Sequence, residues 1–202
     1  MANRSRELKA YMDRRLERYQ NASDRSYVRA QLAMLRRGVG KKPGDLPELW
    51  GILFGDLPEE FLSISGEPTR EEWAVYTALT LYALHQQGSE ATGPEGCMHR
   101  PGRRLGAAAR QLVTDEGEEG RIARRLQMAA TANGIAEAAQ HLRGLVRLLR
   151  GGKIPLDYAQ LAVDLYSFQF PEGAARVRLA WGQDFYRQTR QTKEERTEQT
   201  YV

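Results

Sequence analysis

Arginine is the residue with which this chain of 202 amino acids is equipped to do chemistry, and that chemistry is the capture of phosphate oxygens. Between Asp24 and Asp45 no acid occurs, yet Arg25, Arg29, Arg36, Arg37, Lys41 and Lys42 do. From Gly96 to Thr114 the charged residues are Arg100, Arg103, Arg104 and Arg110, and from Ala138 to Leu156 they are Arg143, Arg147, Arg150 and Lys153. The acids gather elsewhere, notably from Asp45 to Glu72, where Arg70 is the only base. A net charge of +4 therefore conceals segregation, which creates a local field that net charge alone would not. A guanidinium is planar and permanently charged, and its fork of donors matches phosphate, so the partner expected is a polyanion, most simply nucleic acid.

Other chemistries fit less well. Asp115, Glu116, Glu118 and Glu119 could hold a divalent metal and make a nuclease, but acids at that position also favour the start of a following helix. His85, His99 and His141 pair neither with one another nor with acids at ligand spacing in the sequence, and no nucleophile–base motif occurs. Gly38-Val39-Gly40-Lys41-Lys42-Pro43-Gly44 has the composition of a phosphate loop but not its spacing, and it follows a helix rather than a strand. Trp50, Trp73 and Trp181 could stack on bases, although their apolar surroundings predict core packing. Arg124 to Arg143, with Gly134 at a turn, is a weak helix-turn-helix match, and a DNA-binding regulator of that kind is the alternative function. No enzyme is expected, and no metal or cofactor.

The elements that must carry these residues are helical from end to end. Leu8, Tyr11, Met12 and Leu16 line one side of a helix over Arg4–Tyr19. Ser23 and Asp24 cap a second that carries Val28, Leu32 and Leu35, and Gly38 and Gly40 end it. Pro47 opens a short helix to Phe54. Thr69 and Glu72 form a capping box for a long helix to Gln87. Further helices are predicted near Arg103–Val113, Glu118–Ala132, Ile135–Leu149, Leu156–Ser167 and Glu172–Tyr186. On the third of these, Arg143, Arg147 and Arg150 form a stripe beside Leu142, Val146 and Leu149. The fold class is all-α, with two small helical-bundle subdomains at 1–87 and 103–187. A glycine- and proline-rich linker at 88–102 joins them, and a polar, disordered tail is expected over 188–202.

Hydrophobic residues make up 41% of the chain and charged residues 28%, an ordinary globular balance. Cys97 is the only cysteine, so no disulfide forms within the chain. The first residues lack the apolar run of a secretory leader, and the longest uncharged stretch, Trp73 to Ser89, is too polar to span a bilayer. A soluble, cytoplasmic protein with no membrane partner is expected.

The run Leu35-Arg36-Arg37-Gly38-Val39-Gly40-Lys41-Lys42-Pro43-Gly44-Asp45-Leu46-Pro47-Glu48-Leu49-Trp50 resembles the signature of the CasB family, the small subunit of the type I-E CRISPR Cascade surveillance complex. His99-Arg100 with Leu105-Gly106, Arg124-Arg125-Leu126, His141-Leu142-Arg143, Leu156-Asp157-Tyr158 and Trp181-Gly182 with Asp184-Phe185-Tyr186 are similar to later family blocks, in the same order. Gly144 falls where some members carry a second arginine beside the one that matches Arg143. The resemblance spans about Ser23 to Arg187. It implies a non-catalytic helical subunit that sits as two copies beside the CasC backbone, with CasA, CasD and CasE in the same assembly. It implies that the subunit steadies the hybrid between guide RNA and target DNA and the displaced non-target strand. Base pairing elsewhere supplies the specificity, so spaced positive charge is all that such a groove needs. The expected phosphate contacts are Arg36, Arg37, Lys41, Lys42, Arg103, Arg124, Arg125, Arg143 and Arg147, with Arg176 and Arg178 as further candidates.

Overall fold

The computed structural model describes residues 2–93 and 96–200, with side chains except at Glu116 and beyond Arg187. Its α-helices run in the order α1 (Ala2–Gln20), α2 (Arg25–Arg37), α3 (Trp50–Leu53), α4 (Arg70–His85), α5 (Leu105–Arg110), α6 (Glu116–Ala130), α7 (Ile135–Gly151), α8 (Tyr158–Phe168) and α9 (Pro171–Thr200). No named strand occurs among the described residues, so the all-α class holds.

The helix starts follow the side-chain chemistry. Asp24 accepts from the Tyr27 amide, Asp115 from the Glu118 amide and Asp157 from the Gln160 amide. Thr69 and Glu72 satisfy each other's backbone amides in a complete capping box. α9 carries on through Thr200, past Tyr186 where the sequence reading stops it. The expected disordered tail thus falls where a helical backbone is described as far as Thr200 and no side chain is.

α4 is buried almost all round, which is why its sequence shows little amphipathic contrast: Val75, Leu79, Tyr82 and Ala83 share it with buried Thr77, Thr80 and His85. It packs against α2, α7 and α8, while α1 packs on α8 and α5 on α9. The helices expected on either side of 88–102 therefore share one buried cluster, from Leu8 through Tyr82, Leu142 and Leu161 to Phe185. The described residues of the segment between them are tied down. The Gln86 side chain donates to the Glu90 and Gly96 carbonyls and accepts from the Met98 amide. Leu156 bonds Met98 through its amide and Arg100 through its carbonyl.

The tryptophans divide. Trp181 is fully buried and donates to Asp164 at 2.7 Å, and Trp73 is half-buried. Trp50, expected in the core, is instead 51% exposed, because its indole N–H donates to the Gly44 carbonyl and keeps the ring on the outside of the loop. No helix among the described residues is long and apolar enough to cross a membrane.

Candidate nucleic-acid interface

The glycine-rich stretch after α2 is a pinned loop. Gly38 caps the helix, and its carbonyl accepts from the Tyr76 hydroxyl of α4 at 2.7 Å. A β-carbon there would stand 2.8 Å from that hydroxyl and 2.9 Å from Leu49 Cδ1, so any side chain at this position must push both aside. Gly40 and Gly44 take φ of 84° and 92°, in the left-handed region that glycine enters without strain. Asp45 accepts from the Lys42 amide, and Pro43 is buried. The outcome is that Lys41 and Lys42 stand exposed on a rigid turn that lies against α7, sharing a groove with Ala136, Ala139 and Gln140.

From this loop the cations continue. A β-carbon at Gly40 would lie 3.8 Å from Nη1 of Arg143 on α7, and one at Gly144 would lie 3.7 Å from Nη1 of Arg125 on α6. Lys41, Lys42, Arg143 and Arg125 thus form a contiguous group, with Arg124 next to Arg125 and Arg147 one turn beyond Arg143. Among the described residues, none of the six side-chain cations has a carboxylate oxygen within 4.0 Å, Asp45 meeting Lys42 through its backbone amide alone. Arg143 is the most telling, being half-buried with an Nε that is buried and has no hydrogen-bond partner. A desolvated donor without an acceptor is costly. Beside Gly144, where some family members carry a second arginine, the guanidinium of Arg125 lies at van der Waals distance.

Arg36 belongs to an adjoining groove with Arg29, Gln87 and Ser89, where Arg150 of α7 donates to Gln87 at 2.7 Å. Arg36 is half-buried, and that burial lowers its pKa with no acid to offset it. Arg37 faces the other way and pairs with Glu48 at 3.0 Å. Arg103 is half-buried at the entry to α5, where its carbonyl accepts from the Asp157 amide. Arg176 and Arg178 are exposed on α9, and Arg178 lines a groove with Gln127 and Tyr186. The structure does not bring these last four to the loop–α7–α6 group.

Acid-free sequence windows overstated the amount of unpaired charge. Arg25 and Arg29 reach Glu90, Arg110 reaches Glu119, and Arg104 lies by Asp164 and Asp184. Partners distant in sequence supply the relief that i,i+4 spacing does not.

The other candidate chemistries are spoken for. Glu118 accepts from Thr114 and Arg121, Glu119 from Arg110, and Asp115 caps α6. His99, which lacks an acid at ligand spacing in the sequence, meets Asp13 and Asp157 in space, their ligand atoms within 4.8 Å. Each already has work. His99 Nδ1 accepts from the Tyr158 amide, Asp157 from the Gly102 and Gln160 amides, and Asp13 pairs with Lys9.

The described residues thus combine an all-α fold with a group of side-chain cations that no carboxylate neutralises. The model of the family described as CRISPR-associated protein Cse2 matches residues 31–186, and the chain belongs to that family. CasB from Thermobifida fusca is 35% identical, with 89% of this chain and 97% of that one covered and a TM-score of 0.71. A chain described as "CRISPR RNA-guided surveillance complex" shares the fold at 22% identity and a TM-score of 0.69, over 95% of this chain and 98% of that one. So does a Cse2-family protein of Thermus thermophilus, at 23% identity, 90% and 97% coverage and a TM-score of 0.63. No curated protein matches the chain in sequence.

Proposed function

We propose that this chain is the non-catalytic small subunit of a CRISPR RNA-guided surveillance complex, Cascade, and that it holds nucleic-acid backbone without regard to sequence. Membership of the Cse2 family and the likeness to a chain of such a complex support the assembly. The single observation that supports the binding mode is Arg143, a half-buried guanidinium with an orphaned Nε, set between the Lys41–Lys42 turn and Arg125. A row of phosphates supplies the acceptors that the protein does not. In this reading the group steadies the guide–target hybrid and the displaced non-target strand, beside CasC and with CasA, CasD, CasE and a second copy of the chain as neighbours. Arg36 extends the group, and Arg37, Arg103, Arg176 and Arg178 are outlying contacts.

The helix-turn-helix alternative is disfavoured by the packing of α6 and α7. Leu148 of α7 shares a groove with Ile122 of α6, and Gly144, one turn earlier in α7, lies beside Arg125, about one turn later in α6, so the two helices lie side by side and antiparallel. A helix-turn-helix crosses at about 90–120°. The test is co-purification with the other Cascade subunits and a guide RNA, together with binding of unrelated single strands. With about six phosphate contacts, log affinity should fall against log salt with a slope of roughly −4. A flat salt response, or a strong preference for one duplex sequence, refutes the reading.

A further inference from the structure

Two exposed apolar residues interrupt the cationic face. Met128 of α6 is 46% exposed and Leu148 of α7 is 38% exposed, and neither belongs to the buried stripe of its helix. The α6 stripe is Ile122, Ala123, Leu126 and Ala129, and the α7 stripe is Leu142, Leu145, Val146 and Leu149. Both residues face a groove of about 480 Å³ between the helices, floored by Leu112 and Ile122 and rimmed by Arg121, Arg124 and Arg125. Its size is that of a small-molecule cleft, about 300–1,000 Å³. Among the described residues Glu118 is the one carboxylate on the rim, and it is occupied by Arg121 and by the Thr114 hydroxyl.

We propose that this groove seats an unpaired nucleobase of a single-stranded polynucleotide whose phosphates lie on Arg124 and Arg125. The proposal rests on the nucleic-acid reading above and deepens it. An apolar floor with cations on its rim matches a nucleotide, whose base offers an apolar face and whose backbone offers the charge. A base inside a duplex has both faces covered by its neighbours, so only an unpaired one can lie against Met128 and Leu148. Arg125 can stack on the base as well as pair with the phosphate. The cations continue past the groove to Arg143 and to Lys41 and Lys42. A polyanion spans such a row, whereas an acidic peptide anchored by one apolar side chain leaves most of it unused.

The test measures binding of the full chain to a single-stranded DNA and to an abasic strand of equal length and charge. The wild-type chain should bind the abasic strand about three- to tenfold more weakly, a fraction of what an aromatic platform gives per base. Met128→Ala with Leu148→Ala should abolish that difference and leave the salt slope unchanged. Arg124→Ala with Arg125→Ala should reduce the slope by about 1.4. Leu179→Ala, an exposed apolar residue on α9, is the control and should change nothing. If intact and abasic strands bind wild type alike with a steep salt slope, the base seat is wrong and phosphate binding stands. If neither strand binds, the wider functional reading fails with it. If the Met128/Leu148 variant keeps the base preference but no longer assembles with its protein partners, the groove is a protein-docking face and the proposal is overturned.

Discussion

The Tyr76 hydroxyl donates to the Gly38 carbonyl at 2.7 Å, tying the middle of the central helix to the turn that presents Lys41 and Lys42. Burial and the nearby Asp45 push the Tyr76 pKa up to about 12, so the donor persists at any working pH. Tyr76→Phe should cost about 1 kcal/mol of stability, the net worth of one hydrogen bond, and weaken single-strand binding by loosening the turn. Gly38→Ala should do more on both counts, since its methyl collides with Tyr76 and Leu49. Urea titration alongside binding isotherms checks both, and equal effects from the two variants refute the pinned-turn account.

Arg143→Ala with Arg147→Ala should weaken nucleic-acid capture while the helix stays folded. Both side chains flank a stripe whose members Leu142, Val146 and Leu149 are 0% exposed, and alanine has the higher helix propensity. The salt slope should shrink by about 1.4. Leu142→Ala with Leu149→Ala should instead cost roughly 2–5 kcal/mol at each site. Thermal melts and salt-dependent binding separate the two, and a reversal means that the faces of α7 are misassigned.

Two helical glycines should respond oppositely to alanine. At Gly144 the nearest atom to a new β-carbon is Arg125 Nη1 at 3.7 Å, an ordinary contact, so Gly144→Ala should stabilise by about 0.5–1 kcal/mol. At Gly106 the Trp181 carbonyl oxygen would be 2.1 Å away, so Gly106→Ala must force α5 from α9, at a cost of about 1–3 kcal/mol. Chemical denaturation of both variants decides it.

Stability should fall on mild acidification. His85 is fully buried, its Nδ1 paired with the Tyr158 hydroxyl at 2.9 Å and its Nε2 turned towards the Leu149 carbonyl without reaching hydrogen-bond geometry. Burial lowers its pKa to about 4. Burial lowers that of His99 too. The unfolded chain takes up protons below about pH 6.5 while the native state does not, so stability is full above that pH and declines towards pH 4. His85 alone should contribute about 2 kcal/mol to the loss by pH 5. Urea unfolding at pH 7, 6 and 5 measures it before carboxylates with lowered pKa values, such as Glu137, begin to protonate. A flat profile across that window contradicts the buried neutral imidazole.

Local signals carried most of the fold into the sequence. Asp24, Asp115 and Thr69 announce their helices through side chains that act within three residues, and the Leu142/Val146/Leu149 stripe is a matter of period. Arg143, Arg147 and the Lys41–Lys42 turn were legible as cations for the same reason. The pairing of Arg25 and Arg29 with Glu90 was not, because Glu90 arrives from the far side of two helices. The outward ring of Trp50 depends on a hydrogen bond to Gly44, and the groove beside Met128 exists only when α6 lies along α7. Such facts are relations between elements. A residue's neighbours along the chain do not encode them, although Met128 and Leu148, off the buried stripes of their helices, were a visible irregularity.

The ties that Gln86 and Leu156 make to the segment before α5 bear on how the molecule comes apart. Because α4 has its neighbours on both sides of that segment, neither half can shed its partner without exposing the walls of a common interior. Unfolding should therefore be a single cooperative event in calorimetry, with amides of α4 and α8 exchanging at one shared rate. Two polypeptides made separately, 1–93 and 96–202, should each be poorly folded in isolation yet recombine on mixing into a native-like pair, held by the interior without a peptide bond between them.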